Sequence, residues 1–380
     1  MIPVIYLDNN ATTPADPEVY DAVFSSLKRD IGNPSSSHLT GRKARETIEH
    51  GRQEVADLLG CGVDEIYFTS GGTEANNLAL LGSALRHGKG HIVTSGIEHP
   101  SVLLACRHLE SQGFEVTYAR VDPNGVVKVD EIADAVRKDT FLMSVMHANN
   151  ETGVLQPIEE IGAIAKSHGI AFHVDAAQSI GKTPFRLEDT AIDFMTVVGH
   201  KFYGPKGVGA LYVRGGRPLD PILYGGGHER GLRPGTENVA GIAGFGKACQ
   251  LAKRDIRLRV SLTLRLRELL FEQLKSLIPG LRLNGHPSQR LPNTLNVCLP
   301  GVPSRLLAER LSDAVALSTG SACHAGETTP SAVLLAMGLS EKDALTSVRL
   351  SVGKDNTEEE ILKAVSLIAA AADALRQRPS

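Results

Sequence analysis

Short apolar runs alternate with amphipathic segments along roughly the first 215 residues of the chain. Ile66–Ser70 and Phe194–Val198 have the length of buried strands, whereas Glu74–Leu85 and Ile158–His168 have helical spacing. Strands that alternate with helices of about 10–15 residues are typical of parallel sheets. This part of the chain therefore predicts an α/β fold with a mainly parallel sheet covered on both faces. The other predicted strands are His91–Ser95, Val116–Arg120, Thr140–Ala148, Ala171–Val174 and Gly209–Val213, and a further helix covers Ser101–Gln112.

The pattern changes near residue 250. Asp255–Ile278 has mixed three- and four-residue apolar spacing and predicts one long amphipathic helix, ended by Pro279-Gly280. Strand-like runs and a last helix over Glu358–Leu375 follow, which favours a smaller α+β domain. We therefore expect a large domain over residues 15–253 and a small domain formed by residues 1–14 and 254–380. The strand-like runs are Leu281–Asn284 and Thr294–Leu299, and Met1–Tyr6 is expected to be a short strand.

Composition narrows the possible functions. The formal charge of −3 and a pI near 6.5 disfavour a dedicated nucleic-acid binder, which needs a basic surface. No apolar run approaches the roughly 18–20 residues of a membrane span, and the N-terminus lacks the pattern of a signal peptide. The five cysteines are scattered, which argues against disulfides and a cysteine-only zinc site. We expect no metal and a reducing cytoplasm.

Two groups of residues follow predicted strands at the edge where open α/β sheets bind ligands. Gly71-Gly72-Thr73 joins a strand to a helix, so bare N–H groups, the helix dipole and the Thr73 hydroxyl can bind an anion such as phosphate. The same residues also form an ordinary helix start. Asp175 ends an apolar run, and a carboxylate there needs a partner. It can bind a metal, orient a base, pair with a protonated ring nitrogen, or simply cap the next helix.

Two further positions are candidate nucleophiles. Lys201 directly follows the Phe194–Val198 strand, where desolvation lowers the pKa of an amine, whereas Lys206 lies in a Gly/Pro turn and resembles a solvated surface charge. Cys323 lies in a stretch of small residues, and the adjacent His324 can help to form its thiolate. For an isolated lysine or cysteine, the simpler interpretation is a surface charge or an inert thiol.

Taken together, the four features point to one cofactor. A phosphate cup, a carboxylate for a pyridinium nitrogen and a lysine that forms a Schiff base describe pyridoxal 5′-phosphate (PLP). Asp175 precedes Lys201 by 26 residues, about one strand–helix–strand unit, so neighbouring strand ends can present both side chains. The conjunction is more specific than any of its parts.

The chain resembles fold-type-I PLP enzymes of the NifS/IscS-type cysteine desulfurase family, within the class V aminotransferases, and the resemblance covers essentially the whole chain. It implies a large domain with a mainly parallel seven-stranded sheet and a smaller α+β C-terminal domain. The motifs that carry it are Tyr6–Thr13, Gly32–Ser36, Gly71–Glu74, Ile97–His99, Asn149–Gly153, Asp175–Gln178, Gly199–Lys201, Arg233–Asn238, the Cys323 loop and Ser347–Ser351.

The resemblance also implies a role for each site residue. Lys201 would hold PLP and move the substrate Cα proton, while Cys323 would attack the substrate sulfur, form a persulfide and release alanine. Asp175 would pair with the ring nitrogen, and Arg349, with Asn33, would bind the substrate carboxylate. His99 would stack on the ring and relay protons, Asn150 would contact the ring or substrate, and Gln178 would contact the ring hydroxyl. The phosphate would be bound by Gly72, Thr73 and His200. Thr236 would bind the phosphate in the partner subunit.

The resemblance implies a homodimeric L-cysteine desulfurase that supplies sulfur for iron–sulfur cluster assembly or thiolation through a scaffold or other acceptor protein. Two features depart from the family pattern: Val198 replaces a hydroxyl residue, and Cys323-His324 resembles selenocysteine lyases. Selenocysteine lyase, acting on L-selenocysteine, is therefore the alternative. A PLP aminotransferase would leave Cys323 without a role, and a non-catalytic sulfur carrier would need neither Lys201 nor Asp175.

Overall fold

The computed structural model describes residues 4–188, 190–319, 323–324 and 327–377, with the side chains at 323–324 and 327–328 left out. The strands are β1 Ile5–Tyr6, β2 Ile66–Thr69, β3 His91–Ser95, β4 Glu115–Ala119, β5 Thr140–Ser144, β6 Ala171–Asp175, β7 Phe194–Val198, β8 Gly209–Val213, β9 Arg282–Leu283, β10 Thr294–Cys298, β11 Val315–Ala316, β12 Cys323–His324, β13 Glu327–Thr328 and β14 Ser347–Ser351. The helices are α1 Pro17–Arg29, α2 Leu39–Leu59, α3 Gly72–His87, α4 Pro100–Ser111, α5 Val129–Asp134, α6 Ile158–His168, α7 Val239–Leu277, α8 Ser304–Leu311, α9 Ala332–Ala336, α10 Glu341–Leu345 and α11 Glu358–Arg376.

A seven-stranded sheet with the order β2-β8-β7-β6-β5-β3-β4 forms the centre of the fold. β8 is antiparallel to both of its neighbours, and the other paired strands run parallel. Every residue of β3, β5, β7 and β8 is buried, as expected for strands of a sheet covered on both faces. The predicted α/β fold with a mainly parallel seven-stranded sheet is confirmed.

The carboxyl ends of three parallel strands bring the candidate residues to one edge. Asp175 is the last residue of β6, and its register partner on β7 is Thr196. β7 leads directly into a 3₁₀ turn over Gly199–Lys201. β2 leads through Gly71 into α3. The sheet therefore presents a carboxylate, an amine and a helix N-terminus side by side.

A second apolar core surrounds the three-stranded antiparallel sheet β14-β10-β9. Leu266, Leu270 and Leu274 from the second half of α7 pack in it together with residues of α8 and α11. β1 pairs with β11, so the N-terminal segment also packs in this part of the fold. The division of the chain at residue 254 remains a prediction.

The predicted start of the long helix at Asp255 is wrong, because α7 begins at Val239, sixteen residues earlier. Glycines at 241, 244 and 246 obscured the helical pattern, since glycine is a poor helix former. Close packing requires them: a Cβ on Gly246 would lie 2.7 Å from the Cα of Gly51 in α2. The predicted strand Thr140–Ala148 is also too long, because β5 ends at Ser144 and Ala148 bridges to Leu155.

Within the described residues, no helix combines the length and apolar character needed to cross a membrane.

Candidate active site

A pocket of about 430 Å³ opens at the carboxyl edge of the sheet and collects most of the predicted site residues. The predicted residues that line it are Gly72, Thr73, His99, Asn150, Asp175, Gln178, His200, Lys201 and Arg349. Asn10, Asn76 and Ser101 also line it, although the sequence did not single them out.

Lys201 is held at the pocket by backbone carbonyls. Its Nζ donates to the carbonyl oxygens of Asn10 at 2.8 Å and Ala11 at 2.9 Å. Burial, and secondarily the charge of Arg349, lower the pKa of Lys201 to about 8. Lys206, the competing candidate, is exposed and does not line the pocket. The structure therefore places an amine with a near-neutral pKa at Lys201.

The Asp175 carboxylate is held by neutral donors. Oδ1 accepts from the backbone N–H of Ala177 at 2.9 Å, and Oδ2 accepts from Asn76 Nδ2 at 2.8 Å. Asn76 also donates to Ser101 Oγ at 2.8 Å. In the described part of the chain no salt bridge engages Asp175, which leaves its charge available to a cationic ligand atom. Asn76 follows Gly72 by four residues on α3, and this i,i+4 relation could have identified it.

His99 both caps the start of a helix and lines the pocket. Its Nδ1 accepts from the backbone N–H of Ser101 at 3.2 Å, so it caps α4, and it lies 2.8 Å from Ser101 Oγ. The ring also lines the pocket. Burial is the main cause that lowers the pKa of His99, so the side chain presents a neutral imidazole near pH 7.

The start of α3 forms the anion-binding end of the pocket. Gly71 has a φ of 150°, which favours glycine, and a Cβ on Gly72 would lie only 2.8 Å from Val198 Cγ2. The backbone at Gly71 therefore faces open space where the helix N–H groups begin, whereas Gly72 packs directly against Val198. His200 lies nearby with Nδ1 at 3.1 Å from Thr12 Oγ1, and burial lowers the pKa of His200 to about 4. Val198, which replaces the expected hydroxyl, lines this end with an apolar side chain.

A buried lysine that the sequence did not single out fixes the Gln178 amide. Lys182 Nζ donates to Gln178 Oε1 at 2.7 Å and to Asn10 Oδ1 at 3.0 Å. Gln178 Nε2 in turn donates to the Asn10 carbonyl at 2.9 Å, the same oxygen that accepts from Lys201. Gln178 therefore accepts a hydrogen bond through Oε1 and donates one through Nε2, and these two bonds fix the orientation of its amide. The Gln-x-x-x-Lys spacing was the available signal.

Arg349 on β14 ties three segments together at the pocket. Nη2 donates to Asp8 Oδ1 at 2.7 Å, and Nη1 donates to the Asn150 carbonyl at 3.0 Å. Nε is buried and has no hydrogen-bond partner among the described residues. Arg349 is 7% exposed. Its Nε–H group can therefore donate to a carboxylate while Nη1 and Nη2 keep their hydrogen bonds to Asn150 and Asp8.

Three predicted residues are not placed in this pocket. Asn33 is exposed, and its Oδ1 accepts from the backbone N–H of Ser35 at 2.8 Å. Thr236 is exposed on the loop before α7. For Cys323 the backbone pairs with Thr328 in the β12–β13 ribbon, whereas its side chain lies outside the described part. The roles of all three remain predictions.

Comparison with known proteins places the chain in a family. The Aminotransferase class-V profile matches residues 5–363. The cysteine desulfurase IscS of Methanosarcina thermophila is 46% identical over 368 residues, which are 96% of this chain and 91% of that protein. A solved NifS-like protein has a TM-score of 0.92 and 39% identity, covering 98% of this chain and all of the other. SspA, solved in complex with cysteine, has a TM-score of 0.82 and 37% identity over 93% of this chain and 99% of its own.

The chain belongs to the class V aminotransferase family, whose members are PLP-dependent. The pocket agrees with that cofactor: among the described residues Lys201 has no carboxylate partner and Asp175 has no cationic one, and Gly71 places no side chain at the start of α3. Lys201 would hold PLP covalently, Asp175 its ring nitrogen, and Thr73 with His200 its phosphate. When bound, PLP withdraws electrons from the substrate Cα and Cβ.

Proposed function

We propose that this protein is a PLP-dependent cysteine desulfurase that converts L-cysteine to L-alanine and passes the sulfur to Cys323. The observation that carries the proposal is the arrangement of Lys201, Asp175 and Arg349 around one pocket, in a chain 46% identical to a cysteine desulfurase. A solved relative with 37% identity was captured with cysteine, the proposed substrate.

Each pocket residue has a different proposed role, which follows from the chemistry of its side chain. Arg349 binds the substrate carboxylate through the donors that Asp8 and Asn150 leave available. Lys201, whose pKa is about 8, accepts the proton from the substrate Cα and returns a proton to the carbon skeleton. The neutral ring of His99 would stack on the cofactor and would relay protons between substrate and solvent. These assignments rest on position in the pocket and on the family motifs.

Cys323 is the proposed sulfur acceptor. Its thiolate attacks the substrate sulfur, so that the Cβ–S bond breaks and an S–S bond forms on Cys323. Hydrogen replaces sulfur on Cβ, and L-cysteine plus the Cys323 thiol becomes L-alanine plus a Cys323 persulfide. The outer sulfur of the persulfide then passes to an acceptor protein for iron–sulfur cluster assembly or thiolation, which regenerates the Cys323 thiol, in agreement with the IscS names of the curated relatives.

Selenocysteine lyase remains the alternative, supported by Cys323-His324 in place of a Cys-Thr or Cys-Ser pair. The same pocket serves both substrates, because L-cysteine and L-selenocysteine differ only in the chalcogen atom. The desulfurase names of the relatives favour the sulfur substrate.

The active form is proposed to be a homodimer with shared sites. Thr236 is exposed and far enough from its own pocket not to line it, so it would serve the phosphate site of the other subunit. One face of α1 and the residues after it expose Phe24 at 58%, Leu27 at 61% and Ile31 at 77%, which suits burial against a second copy. A cytoplasmic location is proposed alongside this assembly.

Reductive trapping of the cofactor on its lysine tests the proposal directly. The purified holoprotein is reduced with borohydride, digested and mapped, and alanine release from L-cysteine is measured in parallel. We expect label on Lys201, and Lys201→Ala should lose both label and turnover while Lys206→Ala keeps both. Label on Lys206, or full turnover by Lys201→Ala, would contradict it.

A further inference from the structure

A second, much smaller cavity lies behind Lys201, toward α7. Its volume is about 20 Å³, which is room for roughly one water-sized particle. The basic side chains that line it are Lys182, Lys201 and Arg259, and no carboxylate of the described chain lines it. Three basic groups thus share a space that holds one small ligand.

Arg259 is the unusual member of this lining. The residue is 6% exposed, and none of its three guanidinium nitrogens has a hydrogen-bond partner within the described residues. Its guanidinium lies 5.1 Å from the centre of the Tyr203 ring, a cation–π contact that leaves the N–H groups unused. A buried charge of this kind is costly unless hydrogen bonds or a counter-charge compensate it.

The nearest carboxylates are committed to other cations. Asp16 and Asp255 both act on Arg259 at long range. However, Asp16 forms an ion pair of 2.8 Å with Lys354, and Asp255 forms one of 2.8 Å with Arg254. Neither carboxylate hydrogen-bonds to Arg259, so the positive charge at the cavity is offset only in part.

Two of the neutral groups around the cavity already accept hydrogen bonds. Thr13 Oγ1 accepts from the backbone N–H of Tyr203 at 2.6 Å and donates to the His200 carbonyl at 3.0 Å. Asn293 Oδ1 accepts from Thr294 Oγ1 at 3.0 Å. The basic side chains give a ligand in the cavity several N–H donors, which a monatomic anion can accept without donating in return.

We propose that this cavity is a binding site for a small monovalent anion, with chloride as the representative ligand, held by the Arg259 guanidinium together with the Lys182 amine. The cavity is too small for phosphate or sulfate, which separates this site from the phosphate end of the pocket. Because Lys201 lines both spaces, a negative charge here stabilises the protonated form of the active-site lysine. Binding of an anion in the cavity is thereby coupled to the protonation state of Lys201.

Anion-dependent stability of the holoprotein tests the proposal. The melting temperature is measured from about 1 to 200 mM sodium chloride, with sodium gluconate added to keep ionic strength constant, because gluconate is too large for the cavity. Binding to the folded state should raise the melting temperature by about 2 °C or more over this range. An equal melting temperature at every chloride-to-gluconate ratio would overturn the proposal.

Two variants and one crystal make the test specific. Arg259→Met keeps a long side chain and should abolish the chloride response, whereas Arg257→Met removes an exposed charge from the same helix and should keep it. A full chloride response in Arg259→Met would overturn the proposal. If Arg259→Met does not fold, crystals of the parent protein grown in sodium bromide decide the matter. Anomalous density is expected beside Arg259, and its absence from the cavity would refute the site.

Discussion

Arg349→Lys is the substitution that tests substrate recognition most sharply. Lysine keeps the positive charge but replaces a planar, forked donor set by a single ammonium. The Arg349 guanidinium supports Asp8 at 2.7 Å and the Asn150 carbonyl at 3.0 Å while Nε has no partner among the described residues. One ammonium cannot keep both supports and also hold a substrate carboxylate in a fixed orientation.

The size of the effect follows from the bond that is lost. A hydrogen bond to a charged group contributes about 1.5–3 kcal/mol. At about 1.4 kcal/mol for each factor of ten, kcat/KM for L-cysteine should fall by about 10- to 150-fold. Because the carboxylate is bound in both the ground and the transition state, most of the loss should appear in KM.

Steady-state alanine release from L-cysteine measures both constants. Arg257→Lys, an exposed change of the same type, is the control and should leave kcat/KM unchanged. Product binding gives a second readout: the ratio of affinities for L-alanine and ethylamine, which lacks the carboxylate, should collapse in Arg349→Lys. If Arg349→Lys keeps kcat/KM within about twofold of the parent, or keeps the parent affinity ratio, the assigned role of Arg349 is wrong.

Three further predictions concern buried ionisable groups. In the PLP-free protein, the rate of PLP capture at Lys201 should rise with pH through a midpoint near 8, because burial lowers the pKa of Lys201; a midpoint near that of exposed lysine, about 10.4, would contradict this. Burial raises the pKa of Glu98 to about 8, so folding stability should fall as pH rises from about 4.5 to about 8, and Glu98→Gln should flatten that fall in a thermal-melting series. Lys182→Met should release the Gln178 amide and shift the pH midpoint of the visible cofactor absorption, with Lys206→Met as the unshifted control.

The sequence predicted the sheet and the strand-end residues because both depend on local patterns. Apolar runs such as Phe194–Val198 are buried on both faces, so their limits are visible without knowledge of their neighbours. Asp175 and Lys201 follow such runs directly, which places them at the same edge once the strands are parallel. The start of α7 was missed because its first turns use glycine to approach α2, and close packing of that kind leaves no apolar periodicity.

The residues that sequence reasoning missed act through contacts between distant segments. Asn10 joins Gln178, Lys182 and Lys201 across more than 160 positions, and no spacing rule predicts such a meeting. Arg259 is similar: on the sequence it is one basic residue of an amphipathic helix, and only the fold shows that it is buried without a partner. The residues that carry the chemistry could be predicted from local sequence patterns, whereas the residues that hold them in place depend on tertiary packing.

The central claim is that this pocket desulfurates L-cysteine with Cys323 as the acceptor. The most direct measurement compares alanine release from L-cysteine and from L-selenocysteine by the parent protein and by Cys323→Ala. We expect the parent to release alanine from L-cysteine. Cys323→Ala should lose nearly all of that activity and retain turnover of L-selenocysteine, because selenium leaves carbon more readily and needs no thiolate acceptor. If Cys323→Ala desulfurates L-cysteine at the parent rate, or if the parent ignores L-cysteine and turns over only L-selenocysteine, the account is contradicted.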